Sequence, residues 1–277
     1  MASKKINTDD SEGPVWALRV ILLFSAILFL QACAVAVPVH QPFAPQSLGK
    51  RVARLGINVG SAPVIGPEST SASASTWETD DSSILIGVQG AFGLMEALDL
   101  ELDAQTSMLS GTSTILGLKY QWLGPSILES TAGDWSSAFR ARYIWSSGYK
   151  DENENGSGDQ ALFDHYSVRD LNAKGYSLAN GFGYMVAPWF GLYLGGQFVE
   201  MKLEYLYTSS GSTNYQNGQR TIQGYGPFLG IHFNSTGSKR RFYFTVEMTK
   251  IYMPETYYIK KTWRDGFDTN FGFIFPL

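Results

Sequence analysis

Three carboxylates alternate with apolar side chains in the stretch from residue 98 to residue 105. Asp99, Glu101 and Asp103 occupy every second position, and leucine or alanine fills the positions between them. Successive side chains of a β-strand point to opposite faces, so this stretch is predicted to be a strand with one acidic and one apolar face. Such a row of carboxylates can form ion pairs with basic side chains on other strands, or it can line the path of a conducted ion.

The setting of this strand decides between these chemistries. Its acidic face could contact water on the outside of a soluble sheet, or it could line the lumen of a membrane barrel. Charged residues make up 17 % of the chain, aromatic residues make up 14 %, and glycine occurs 29 times. A typical soluble domain has about 25 % charged residues. The net charge of −4 does not indicate a nucleic-acid partner, and the single cysteine excludes a disulfide within the chain.

Strand patterns recur at near-regular spacing, with no convincing amphipathic helix between them. The predicted strands are 51–60, 82–93, 97–106, 113–122, 136–147, 174–186, 189–206, 219–233, 240–252 and 267–277. The predicted fold is all-β, an antiparallel up-and-down transmembrane β-barrel of about ten strands, roughly 8–12. A signal helix and a tether are predicted to precede it.

The two faces of these strands favour the membrane setting. One face is bulky and apolar, whereas the other is rich in glycine, alanine and glutamine with few lysines. A soluble barrel such as a lipocalin would need a charged exterior, but a lumen tolerates small and polar residues. Aromatic residues such as Trp122, Trp145 and Trp189 lie near strand ends, where membrane-interface belts need them.

In that setting the acidic strand faces bases on its neighbours. Lys119 lies on the next predicted strand, Arg140 and Arg142 lie on the strand after it, and adjacent strands are about 4.8 Å apart. The predicted luminal charge network comprises Arg54, Asp99, Glu101, Asp103, Lys119, Arg140, Arg142 and Glu247. We predict that this network closes the lumen, with a narrow conducting path as the alternative.

The chain ends in Asn270-Phe-Gly-Phe-Ile-Phe-Pro-Leu277, which is similar to the C-terminal insertion signal of outer-membrane barrels. Residues 50–277 therefore resemble the small outer-membrane β-barrels of Gram-negative bacteria, of the OmpA and OmpX kind. The resemblance implies a monomer in the outer membrane of a Gram-negative bacterium. It also implies outer-membrane lipid and the barrel-assembly machinery as partners.

The N-terminal region resembles a lipoprotein leader. Lys4, Lys5 and Arg19 precede the apolar run 20–30, and Leu-Gln-Ala-Cys33 follows the pattern of a lipobox. The predicted domains are a signal peptide (1–32), a lipidated Cys33 with a proline-containing periplasmic tether (33–49), and the barrel (50–277). Ordinary cleavage after residue 32, or an uncleaved anchor extending to residue 37, are the alternatives.

The apolar alternation of the strand at 189–206 changes parity near Phe198. A β-bulge would do this, and so would a strand that leaves the membrane. Because Glu200, Lys202 and Glu204 follow, we favour a hairpin that continues above the bilayer to Asn217-Gly218.

The long connections carry two weaker candidates. The segment 151–159 resembles the start of an EF-hand loop, but Leu162 replaces the bidentate glutamate, which favours a solvated acidic loop. Its candidate calcium ligands are Asp151, Asn153, Asn155 and Asp159. An outer-edge hydrolase could use Asp164-His165 with Asp80-Asp81, in the manner of the omptin proteases, but the omptin motifs do not match.

We predict a structural or surface-interaction protein rather than an enzyme, without a cofactor. Loops 61–81, 148–173 and 253–266 could present a surface to an extracellular ligand. The alternatives are a narrow channel for ions or small solutes and an outer-edge hydrolase.

Overall fold

The computed structural model describes residues 35–36, 42–67, 77–107, 111–147, 168–207, 216–235, 241–254 and 262–277. The regular structure in these ranges is eleven β-strands. They are β1 (Val35–Ala36), β2 (Val52–Pro67), β3 (Trp77–Met95), β4 (Leu98–Ser107), β5 (Gly111–Leu123), β6 (Trp135–Ser147), β7 (Val168–Ala187), β8 (Phe190–Tyr207), β9 (Gln216–Asn234), β10 (Arg241–Met253) and β11 (Thr262–Pro276). Within the described residues, no helix is long and apolar enough to cross a membrane.

Strands β2 to β11 form a closed ten-stranded barrel. Each strand pairs antiparallel with the next along the chain, and β11 pairs with β2, with Phe271 opposite Ile57. The prediction of an up-and-down barrel of about ten strands is therefore confirmed. The barrel has a turn end, where β3–β4 and β7–β8 connect tightly and β11 finishes, and a loop end, where β2, β4, β6, β8 and β10 finish.

Several strands extend further toward the loop end than predicted. β3 begins at residue 77 rather than 82, β7 at 168 rather than 174, and β11 at 262 rather than 267. In β7 the added part carries buried Leu171 and Ala173 on the luminal face, while Lys174 on the outer face is exposed. Because the lumen becomes apolar here and the exterior polar, the alternation that marked the strand in the sequence reverses.

The same reversal explains the parity change in β8. Its pairing with β9 continues without a register shift through Phe198, which lies opposite Tyr225. Pairing with β7 is equally continuous there, so no bulge is present. Met201 and Leu203 are buried in the lumen, whereas Lys202 between them is half exposed and pairs with Glu204. The favoured interpretation, a hairpin that continues beyond the apolar band, agrees with these contacts.

Candidate functional site

Residues 42–49 lie inside the barrel, and all eight are buried. We call this segment the plug. It belongs to the stretch that the sequence analysis assigned to a periplasmic tether, so the tether passes through the lumen over this part of its length. Its C-terminal end reaches the turn end, where the backbone N–H of Arg51 donates to the carbonyl of Gly93 at 2.9 Å.

Luminal side chains bind the plug mainly through its backbone. Lys119 Nζ donates to the carbonyls of Gln46, at 2.8 Å, and Ala44, at 3.4 Å. The carboxylate of Asp99 accepts the N–H of Leu48, with both oxygens at 3.1 Å. Backbone groups enclosed in a lumen need such partners, because leaving one unpaired costs free energy.

A second set of contacts holds the N-terminal part of the plug. Glu247 Oε2 accepts the N–H of Phe43 at 2.8 Å, and Arg140 Nη1 donates to the carbonyl of Pro42 at 3.3 Å. The Arg140 guanidinium lies 4.7 Å from the centroid of the Phe43 ring. The ring also meets Phe228 edge-on at 5.5 Å. Phe43 is therefore fixed by a cation–π contact, an aromatic pair and a backbone hydrogen bond.

Ion pairs connect the same residues to one another. Lys119 and Asp99 lie 3.0 Å apart, so the lysine binds a carboxylate and two carbonyls of the plug together. Glu101 lies between two bases, 3.7 Å from Arg54 and 3.9 Å from Arg140. The side chains of these three ion pairs are 5 % exposed or less, so water screens the pairs weakly.

The other two residues of the predicted network, Asp103 and Arg142, are also buried in the lumen. Asp103 is buried in the lumen, but neither of its carboxylate oxygens has a hydrogen-bond partner. Arg142 donates from Nε to the hydroxyl of Ser177 at 3.0 Å. The structure therefore groups Arg54, Asp99, Glu101, Lys119, Arg140 and Glu247 around the plug, with Asp103 above them on β4.

Residues 124–134, which we call the cap, contact the plug at the turn end. The connection between β5 and β6 folds beneath the plug, where the N–H of Ile127 donates to the carbonyl of Ser47 at 2.8 Å. Gln121 accepts the N–H of Ser47 and donates to the carbonyls of Leu123 and Pro125, each at 2.9 Å. Ile127 packs with Leu48 and with inward residues of the wall in one apolar cluster.

The lumen at the loop end has a different lining. Eleven buried apolar side chains from β5 to β10 form one cluster there, which we call the upper cluster. Its members are Ile115, Ile144, Leu171, Ala173, Val199, Met201, Leu203, Tyr205, Ile222, Ile251 and Met253. The short strand β1 approaches β5, β6 and β7 within 8 Å between Cα atoms.

Exposure of the two faces decides which side of the wall contacts lipid. On β4, Leu102 is 54 % exposed, whereas Glu101 beside it is 2 % exposed. Large apolar residues are exposed on every barrel strand, and aromatic groups such as Tyr225–Tyr252 and Phe190–Phe233 form belts toward the two ends. The exterior is that of a transmembrane barrel. Single-chain barrels with a lipid-facing exterior and a polar lumen belong to the outer membrane of Gram-negative bacteria, so the predicted location follows.

The height of the apolar band agrees with this assignment. On β7 the outward-facing run extends from Tyr176 to Tyr184, and Lys174 follows toward the loop end. At about 3.3 Å per residue and a tilt of about 40°, such runs cover roughly 20–25 Å of membrane. Exposed ion pairs, Lys202–Glu204 and Lys250–Asp265, lie beyond it.

The solved structures that resemble this chain include outer-membrane barrels. The attachment invasion locus protein Ail of Yersinia pestis has 11 % identity and a TM-score of 0.34, over 82 % of this chain and 99 % of that one. The N-terminal barrel domain of Pseudomonas aeruginosa OprF has 12 % identity and a TM-score of 0.26, over 81 % and 98 %. The Pseudomonas putida toluene transporter TodX has 8 % identity and a TM-score of 0.27, over 88 % and 74 %. No protein-family model and no curated protein matches the sequence.

The other predicted sites fall largely outside the described residues. Cys33, the four candidate calcium ligands at 151–159, and Asp164-His165 belong to that part of the chain. Asp80 and Asp81 lie in β3 near the loop end. Among the described residues, no group of three or more histidine, cysteine, aspartate or glutamate side chains could hold a metal ion.

The sequence analysis missed the plug, although the sequence carried a signal for it. Residues 42–48 read Pro-Phe-Ala-Pro-Gln-Ser-Leu, which is more apolar than a solvated tether requires. Glycines on the facing wall provide the complementary signal. A Cβ atom at Gly181 would lie 2.6 Å from the Phe43 ring, and one at Gly183 would lie 2.6 Å from Pro45. These glycines leave the space that the plug fills.

Proposed function

We propose that this protein is a closed outer-membrane barrel with a structural or surface-interaction role, whose lumen is sealed by its own N-terminal segment. The observation that carries the proposal is the burial of all eight plug residues between luminal side chains and the cap. Lys119, Asp99 and Glu247 form hydrogen bonds with the backbone of the plug and hold it in place. In this proposal the plug therefore leaves ions and solutes no free path.

The role that remains for a closed barrel is to present its loop end to the outside of the cell. The connections 68–76, 148–167, 208–215 and 254–261 would then form the surface that contacts an extracellular ligand. Outer-membrane lipid surrounds the barrel in this proposal, the barrel-assembly machinery inserts it, and it functions as a monomer. We propose no enzymatic activity and no cofactor.

The alternative function is a narrow channel, and conductance separates the two. Purified protein in planar lipid bilayers should show no steady conductance. A variant in which residues 42–48 are replaced by glycine and serine at equal length keeps the chain continuous but removes the side chains that fill the lumen. This variant should conduct in discrete steps.

The matched control replaces seven residues of the 148–167 connection, such as 151–157, in the same way. That protein should stay closed, because its plug is intact. Steady conductance by the unaltered protein would overturn the closed-barrel proposal and favour the channel.

A further inference from the structure

The described parts of the N-terminal chain lie at successive heights in the barrel, from the loop end to the turn end. β1 pairs with β2 near the loop end, with Val35 opposite Ile65 and Ala36 opposite Val64. The plug follows at residues 42–49 in the lower lumen. Arg51 then lies at the turn end, where its carbonyl accepts the N–H of Leu277 at 2.9 Å. Along the chain, β1, the plug and Arg51 therefore lie progressively nearer the turn end.

The length of β2 gives the height of this passage. From Val52 at the turn end to Ile65 beside β1, the strand advances by thirteen residues. At about 3.3 Å per residue and a tilt of about 40°, this is roughly 33 Å along the barrel axis. Two extended residues span at most about 7 Å. Cys33, two residues before Val35, therefore cannot reach the turn-end surface of the membrane from this position.

The lining of the lumen matches the chain that passes through it. The plug, which offers backbone carbonyls and N–H groups, lies among Lys119, Asp99 and Glu247. The preceding segment, Ala-Val-Ala-Val at 34–37, is apolar, and β1 approaches the strands that carry the upper cluster. An apolar lining in a water-filled mouth would be unfavourable, so an apolar segment of the chain is its natural occupant.

We infer that the N-terminal segment threads the barrel and leaves it at the loop end, so that the mature N-terminus lies on the cell surface. The inference rests on the proposed plugged barrel and adds the direction in which the N-terminal segment passes through it. Long loops face outward and short turns face the periplasm in barrels of this type. If Cys33 is acylated, its acyl chains lie in the outer leaflet of the membrane. A periplasmic tether would instead place them in the periplasmic leaflet.

The experiment inserts one short tag, a protease site followed by an epitope, between residues 34 and 35. Two control proteins carry the same tag in the 148–167 connection, between strands that meet at the loop end, and in the 236–240 connection, between strands that meet at the turn end. Each protein is first verified as a folded barrel by its heat-modifiable migration. Protease is then added to intact cells and to permeabilised cells.

The tag at residue 34 should be cut in intact cells to the same extent as the tag in the 148–167 connection. The tag in the 236–240 connection should be cut only after permeabilisation. Cleavage at residue 34 that requires permeabilisation, or protection in both preparations, overturns the inference. The conductance test is independent of this protease test. A barrel that does not conduct but has a periplasmic N-terminus would keep the proposed function and disprove only the threading.

Discussion

The lower and upper halves of the lumen are built from the same ten strands but have opposite chemistry. The lower half is lined by ion-paired residues such as Lys119 and Asp99, which bind the backbone of the plug. On β5 to β10 the upper half is lined by the upper cluster, whose members are all apolar, while Ser83 on β3 and Gln105 and Ser107 on β4 are buried but uncharged. The difference teaches that charged residues lie where the backbone of the plug needs hydrogen-bond partners, which supports the proposal that charge in this lumen holds a segment.

The largest effect is expected from removing a cation of the lower half. Lys119→Met leaves Asp99 buried without its partner and frees the carbonyls of Ala44 and Gln46. Breaking a buried pair in this way costs about 3–5 kcal/mol. Urea unfolding in detergent, followed by heat-modifiable migration, measures the loss.

The matched control is Lys202→Met on β8, where the pair with Glu204 is half exposed and 3.1 Å long. An exposed pair contributes less than about 1 kcal/mol, so this variant should unfold near the parent. Equal losses in the two variants would show that the lower half does not depend on buried pairing.

A smaller effect is expected in the upper half. Leu203 is 1 % exposed within the upper cluster, and Leu203→Ala should cost about 2–4 kcal/mol by leaving a cavity. Leu194→Ala on the same strand is the control, because Leu194 is 58 % exposed to lipid and its loss leaves no enclosed cavity. Conductance of Leu203→Ala should remain at the parent level, since the lower contacts are intact. A conducting Leu203→Ala protein would contradict the division into two independent halves.

The contact between wall and plug can be tested without changing a charge. A side chain at Gly181 would meet the Phe43 ring, so Gly181→Val should displace the plug, cost about 1–3 kcal/mol and introduce conductance. At Gly196 a Cβ atom would find only the carbonyl of Gly226, at 3.9 Å. Gly196→Val should therefore stay closed and stable. If both variants remain closed, the wall does not position the plug through Gly181.

The barrel itself could be predicted from the sequence, because the alternation of polar and apolar residues that indicates a strand lies within that strand. Asp99, Glu101 and Asp103 alternate with apolar residues, and the structure places these two sets on opposite faces of β4. Period-two alternation fixes both the strand and its orientation once one face must contact lipid. In β7 the alternation reverses near Leu171, and there the start of the strand was predicted six residues too late, at 174 rather than 168.

The plug could not be predicted in the same way, because it has no period. Pro42 to Gly49 contains three residues that break regular structure, and composition alone describes such a segment as a linker. Its partners are distant in sequence: Phe43 binds Glu247, 204 residues away. The roles of Lys119 and Glu247 in holding a backbone, rather than only pairing with charges, depend on that long-range placement.

The smallest effect is expected at the boundary between the two halves. Asp103 is buried on β4 without a hydrogen-bond partner, and Ile115 of the upper cluster lies opposite it on β5. A buried carboxylate that accepts no hydrogen bond is costly, so Asp103→Asn should leave stability unchanged or raise it by about 1 kcal/mol. Asp99→Asn, four residues earlier, is the control and should destabilise the barrel by about 3 kcal/mol, since it removes the partner of Lys119. Urea midpoints of the two variants measure the contrast. If Asp103→Asn costs as much as Asp99→Asn, the charged contacts extend further toward the loop end, and the boundary between the halves lies above Asp103.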